Sequence, residues 1–163
     1  MDTKKILTRA IDLAEEALNA GNYPCGALLC DNQGNIIAEG RNESYTAHDI
    51  TAHAEIRCLQ SLSIHDLLNP DNTYHLFTST EPCGACSFFI ARAKAIKSIT
   101  WGLTDPQTIG FYDLAVEKPT KSLFSNMHIT EEPIPELRQV SAQLFKDFYK
   151  KSGQTAKADL YEE

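Results

Sequence analysis

The sequence predicts an α/β fold in which a sheet is covered by helices on both faces. Three observations carry this reading. Apolar residues recur at three- and four-residue steps through 3–20, at Ile6, Ala10, Leu13, Ala14 and Ala17, and Gly21 follows as a stop. Two short apolar runs then flank Asp31-Asn32-Gln33-Gly34, a hairpin signal. Beyond residue 51, helix-like and strand-like segments alternate.

Taken in order, 3–20 is a helix, 26–30 and 35–39 are the arms of the hairpin, and a polar loop runs from Arg41 to about Ile50. A second helix carries His53 and Glu55 and continues through Ile56, Leu59 and Leu62, with Thr51 as its N-cap. Segment 73–78 has strand composition and leads to Glu81-Pro82. A third helix starts at Cys83 and is expected to bury Phe88 and Phe89. Segment 96–103 is a strand ending in a turn at Asp105-Pro106, 107–126 shows no regular pattern, and 127–130 is a last strand. Leu137, Val140, Leu144 and Phe148 share one face of a C-terminal helix. The polar tail from about Ser152 is expected to be disordered, the default for a terminal segment. With no repeat and no change of composition, residues 1–163 read as a single domain with 152–163 as its tail.

Composition narrows the function. Hydrophobic residues at 42% and charged residues at 23% are those of a globular protein. The opening residues match neither a secretory signal nor a transit peptide, and no apolar run approaches the roughly 20 residues that span a bilayer, so the expected location is the cytoplasm. A formal charge of −7 argues against a phosphate-rich partner. Lys146, Lys150 and Lys151 lie close together, but read as a solvated helix face. Five cysteines, an odd number, do not suggest a disulfide framework. Cys25, Cys30 and Cys58 sit in apolar patterns as small buried hydrophobes, whereas Cys83 and Cys86 have metal-ligand spacing.

The chemistry resides in two segments, His53-Ala54-Glu55 and Pro82-Cys83-Gly84-Ala85-Cys86. One imidazole and two thiolates hold a tetrahedral zinc with its fourth position open, as catalytic zinc requires. In mid-helix, residues i and i+2 face apart, so His53 and Glu55 can serve one site only from a first turn, where side chains reach a metal off the helix end. A helix start at Cys83 also favours thiolate over thiol. Zinc lowers the pKa of a water in the open position toward ~7. Glu55 is placed to take that proton, pass it to a substrate ring nitrogen and later protonate a departing amine. The competing reading is a structural zinc knuckle, with a fourth ligand from His48, His65, His75 or His128; such a site has no use for Glu55.

H-x-E followed by P-C-x-x-C is the zinc-deaminase signature. With Tyr23-Pro24-Cys25-Gly26-Ala27, Ala38-Glu39-Gly40-Arg41-Asn42 and His48-Asp49-Ile50-Thr51-Ala52, the chain from about residue 5 to 150 resembles the cytidine deaminase superfamily. The similarity is to the branch holding tRNA adenosine deaminases, guanine deaminases and fungal-type cytosine deaminases. The resemblance implies a three-layer α/β/α fold around a five-stranded mixed sheet and a homodimer or higher oligomer. It also implies one Zn2+ per subunit on His53, Cys83 and Cys86, Glu55 as the catalytic proton shuttle, and Asn42 as a substrate-binding residue. Gly110-Phe111-Tyr112-Asp113 resembles the G-F-D-D segment of guanine deaminases, which makes Asp113 a second candidate substrate contact. Segment 137–151 resembles the last helix of tRNA adenosine deaminases, but Ala85 replaces their methionine and the Gly/Ser-rich stretch after Asp105 is missing. Cys25 stands where valine or phenylalanine is usual, and in some free-base deaminases the terminal segment folds over the pocket. The expected activity is hydrolytic deamination of a free nucleobase or nucleoside, guanine slightly favoured. Wobble-adenosine deamination of tRNA and cytosine deamination are alternatives, as is an inactive zinc-stabilised binding module.

Overall fold

The computed structural model of the chain describes residues 1–107, 110–116 and 120–162, the side chains of Tyr112, Asp113, Val116 and Thr120 excepted. Helix α1, Thr3–Asn19, starts where Asp2 accepts a hydrogen bond from the Lys5 backbone and ends as Gly21 enters the left-handed region at φ 89°. Its apolar stripe is buried throughout, from Ile6 to Leu18.

Strands β1 (Gly26–Cys30) and β2 (Ile36–Arg41) form the hairpin, with Asp31 Oδ1 accepting from the backbone of Gln33 and Asn35 at its tip. β2 runs two residues further than the hydrophobic pattern suggests, because Gly40 and Arg41 complete the ladder opposite Ala27 and Gly26. Strands β3 (Tyr74–Thr78), β4 (Ile96–Trp101) and β5 (His128–Glu131) complete a sheet of order β2-β1-β3-β4-β5. β1 is antiparallel to both neighbours while β3, β4 and β5 are parallel, so the sheet is five-stranded and mixed, as expected.

Helices lie on both faces. Leu28, Cys30 and Phe77 pack against Ile6, Leu7, Ala10 and Leu13 of α1. On the other face, Ala27, Leu29, Leu76, Ile99 and Trp101 pack against Ala54 and Cys58 of α2 (Ala54–Gln60) and Cys86 and Ile90 of α4 (Gly84–Arg92). α6, Pro135–Lys151, joins α1 on the first face, its Ser141 hydroxyl donating to the Ser79 carbonyl at 3.0 Å. Among the described residues, no helix is long and apolar enough to cross a membrane.

Five local expectations are corrected. The second helix stops at Gln60, and a turn through Ser61–Ser63 precedes a separate short helix, α3 (Ile64–Leu68), whose Ser63 caps Asp66. The segment without a sequence pattern holds α5 (Phe111–Val116) and a 3-10 turn (Thr120–Phe124); Phe111 and Phe124 pack edge to face at 4.8 Å in the core. Phe88 and Phe89 are 49% and 55% exposed, because Cys86, Ser87 and Ile90 make up the inner face of α4 and, at about 100° per residue, Phe88 and Phe89 fall on the other side of the helix. Val140 is 45% exposed for the same reason: the buried face of α6 follows Ser141, Leu144, Phe145 and Phe148. The tail is ordered as α7 (Thr155–Ala158) and a 3-10 turn (Asp159–Tyr161), with Ala158 and Tyr161 buried.

Gly40 fixes how closely α2 approaches the sheet. A Cβ there would collide with the Ala54 carbonyl and the Cys58 backbone. Overpacking of this kind costs about 1–3 kcal/mol. Gly40→Ala should therefore lower Tm by roughly 3–10 °C in a thermal melt; an unchanged Tm would refute the tight strand–helix contact.

Candidate active site

Two helix starts meet beyond the C-terminal end of β3. His53 is the N-cap of α2, with φ −76° and ψ 155°, and Cys83 is the N-cap of α4, with φ −65° and ψ 167°. Extended backbone at a cap sends the side chain off the helix end. Cys86 lies one turn on, on the same side as Cys83. Thr51 does not cap α2, because its hydroxyl and backbone N–H both donate to Asp49 Oδ1. The lead-in loop is anchored from α1: buried Asn22 accepts from the backbone of Tyr45 and Thr46 at 2.9 and 3.1 Å.

His53 Nδ1 lies 3.6 Å from Cys83 Sγ and 3.4 Å from Cys86 Sγ, and the three donor atoms all fall within 4.8 Å of one another. Donors sharing a tetrahedral zinc through bonds of about 2.0–2.3 Å lie roughly 3.5–3.8 Å apart. The donor set and its spacing therefore fit zinc. Among the described residues this is the one such group of three, and no other histidine joins it. His75, for one, is held between Ser98 Oγ at 2.7 Å and Asn32 Oδ1 at 2.9 Å.

The electrostatics agree with a metal site. The Cys83 thiol is lowered to about 4 by hydrogen bonding from Cys86, against the cost of burial and with further help from His53. Cys86 is correspondingly pushed up, by Cys83 first and then by burial and Glu55. His53 is raised by the Cys83 sulfur. Both thiols must give up their protons when they ligate a cation, and the pull on Cys83 toward thiolate runs in that direction.

Glu55, the second residue of α2, is buried, and its Oε2 accepts a 3.5 Å hydrogen bond from the Cys86 thiol. Burial raises its pKa, the direction that suits a carboxyl group exchanging protons near neutral pH. Asn42, directly after β2, is 3% exposed; its backbone N–H donates to the Cys25 carbonyl at 2.9 Å and its Oδ1 accepts from Ser44 N at 3.0 Å. Its side-chain N–H₂ has no partner among the described residues, so Asn42 both makes a turn and keeps a donor in reserve. Asp113 lies in α5, but its side chain is outside the described residues.

The Cys25 thiol, a buried small side chain where the resemblance has valine or phenylalanine, has Glu55, Asp105 and Cys83 as ionisable neighbours, and burial pushes its pKa up. Beyond it, the Tyr161 hydroxyl donates to Asp105 Oδ1 at 2.8 Å and accepts from Gln107 Nε2 at 2.8 Å. The Tyr161 ring stacks on Phe145 and Tyr149, at 5.0 and 6.0 Å between centroids. Only an aromatic residue inside a polar tail hinted at this contact.

A three-layer α/β/α fold with a His-Cys-Cys metal site open on one side and a buried carboxylate beside it defines a zinc-dependent deaminase architecture. The chain belongs to the cytidine and deoxycytidylate deaminase family: the model of that family's zinc-binding region matches residues 1–103. Members of this family are hydrolases acting on C–N bonds. The chain is 37% identical over 109 residues to a tRNA-specific adenosine deaminase of Haemophilus influenzae, covering 64% of this chain and 60% of that protein. It is 37% identical over 122 residues to a guanine deaminase of Bacillus subtilis, covering 72% of this chain and 76% of that one. A solved guanine deaminase of Nitrosomonas europaea superposes with a TM-score of 0.73 at 22% identity, over 89% of this chain and 83% of the other, which shows a shared fold.

Metal and fold should be coupled here. Cys83→Ala or Cys86→Ala is expected to lose bound zinc, and Tm should fall with it. Metal analysis of the purified variants checks this, and stoichiometric zinc in either one would refute the ligand set.

Proposed function

We propose that this protein is a zinc-dependent hydrolytic deaminase of a free purine base or nucleoside, with guanine the favoured substrate. The observation that carries the chemistry is the buried Glu55 carboxylate, hydrogen-bonded to Cys86 beside the three-donor cluster. His53, Cys83 and Cys86 would hold the zinc. When bound, that ion supplies Lewis-acid activation of water at neutral pH.

Glu55 accepts a proton from the water that attacks the amino-bearing carbon, and delivers it to the neighbouring ring nitrogen. It then moves the second water proton to the amine, which leaves as ammonia while a carbonyl forms in its place. Burial keeps solvent from competing for either proton, and Asn42 offers its unpaired amide N–H₂ to the ring.

Preference for a small substrate rests on the far wall. Tyr161 is pinned by Asp105 and Gln107, and Asp105 is an ionisable neighbour of Cys25, which supports a wall that limits what can be attached to the base. The net charge of −7 supports the same choice. A second reading, wobble-adenosine deamination, draws on the 37% identity to the Haemophilus enzyme and on Lys146, Lys150 and Lys151 toward the end of α6. With the first reading we propose a cytoplasmic homodimer, for which the exposed Phe88 and Phe89 offer an apolar surface.

Ammonia release from a panel of bases, nucleosides and tRNA tests the choice. Guanine should lead, and KM should change little between 50 and 200 mM salt, whereas binding through several phosphates loses ~10³-fold or more over that range. A steep salt loss with tRNA as best substrate would move the assignment to the second reading. Glu55→Ala should keep zinc and fold yet lose at least roughly 10²–10⁴-fold in kcat. Retained turnover in that variant would refute the proton-shuttle role.

A further inference from the structure

We infer that the Thr80 hydroxyl, with the Cys25 thiol facing it, is a specificity-determining contact that donates a hydrogen bond to a ring nitrogen of the purine. The identity of the ligand rests on the deaminase reading above; the contact itself rests on the geometry of the site.

β1 and β3 are antiparallel, with Ala27 opposite Thr78. The pairing continues past the strand ends: Ser79 N donates to the Gly26 carbonyl at 2.9 Å, and Gly26 N donates to Ser79 Oγ at 3.0 Å. One step further, Cys25 faces Thr80. By the two-residue period of a strand, both lie on the side of the sheet that Ala27 and Leu29 present to α2 and α4, the helices bearing the metal ligands. Thr80 lies three residues before Cys83, and its neighbour Cys25 has Cys83 and Glu55 among its ionisable neighbours.

Thr80 is 5% exposed; its Oγ1 has no partner of hydrogen-bond geometry among the described residues, and the polar group it meets is the Cys25 sulfur. Buried hydroxyls are nearly always paired, because an unmet one costs stability. The adjacent Cys25 thiol is a weak partner at best. A valine of the same shape would pack there without that cost, so the hydroxyl needs a reason outside the folded chain.

Charge complementarity supplies one. Of the ionisable neighbours of Cys25, which are Glu55, Asp105 and Cys83, the first two are carboxyl groups, able to accept from the N–H groups of a base. The lone pairs on its ring nitrogens need donors. Asn42 Nδ2, and Thr80 Oγ1 on giving up its weak sulfur contact, are able to donate.

The test is a cycle of variant against ligand on the zinc-loaded full chain carrying Glu55→Ala, which should bind without turnover. It is read by calorimetric Kd for guanine and its 3-, 7- and 9-deaza analogues, with ammonia release followed in the same variants with Glu55 intact. Wild type at residue 80 should bind one analogue about tenfold more weakly than guanine. Thr80→Val should lose about tenfold on guanine and nothing further on that analogue, while Thr80→Ser stays near wild type. Thr80→Val should also melt higher, since an unmet buried hydroxyl is gone. Thr78→Val removes the other unpaired hydroxyl, two residues deeper between the strand partners Ala27 and Trp101, and should leave Kd unchanged. If Thr80→Val fails to fold, Thr80→Ala repeats the deletion. Unchanged guanine affinity in the hydroxyl-less variant, equal losses in the valine and serine variants, or no purine binding by wild type would overturn the proposal. Purine binding that follows the cycle without ammonia release would instead sink the deaminase reading and leave the contact standing.

Discussion

Everything near the site depends on holding an imidazole and two thiols within 4.8 Å of one another on helices that enter from different parts of the chain. His53 comes from the loop that follows the β hairpin, and the cysteines from the turn after β3. Neither helix start could find the other without the sheet between them. β1 pairs with both β2 and β3, so the two lead-in segments emerge side by side at one end of the sheet. Placing both ligand-bearing residues at N-cap positions then turns the side chains off the helix ends and toward a shared point.

That arrangement carries an electrostatic conflict that a metal resolves. Two sulfurs, a carboxyl group and an imidazole crowd together, with Cys86 and Glu55 buried and His53 and Cys83 half-buried. The Cys83 thiol is pulled down by its neighbours and Glu55 is raised by burial. A divalent cation would satisfy both sulfurs at once and leave the carboxyl group free to carry protons. Burial makes Glu55 suited to proton exchange near neutral pH.

The two sides of the site differ in how they are built. The ligand side is formed by helix starts backed by the main core, with Ala54, Cys58, Cys86 and Ile90 packed on the sheet. The opposite side is assembled from pieces distant in sequence: Cys25 and Asn42 at the strand ends, Asp105 and Gln107 after β4, and Tyr161 near the end of the chain. The family's zinc-binding region ends at residue 103, short of most of that second wall. Shared chemistry with divergent substrates among relatives is the outcome expected of such a division.

The sequence by itself determined the metal site and the fold class. H-x-E and P-C-x-x-C specify ligand chemistry through residue type and short spacing, and the alternating apolar periods specify the layers, because both signals are local. α1, the hairpin and the parallel strands were legible for that reason. Local signals failed where another contact chose between alternatives, near or far in sequence. Thr51 could have capped α2, but Asp49, two residues before it, took its hydroxyl. Phe88 and Phe89 could have been core, but Cys86 and Ile90 held the inner stripe of so short a helix. The tail could have stayed loose, but Tyr161 found Asp105 and Gln107, more than 50 residues away. Cys25 and Thr80 became a pair only when β1 lay antiparallel to β3. Hydrogen bonds between distant segments form only once the sheet has brought them together, so Asn42 and Cys25 were legible one by one in the sequence, while their assembly with Thr80, Asp105, Gln107 and Tyr161 was decided by the tertiary structure.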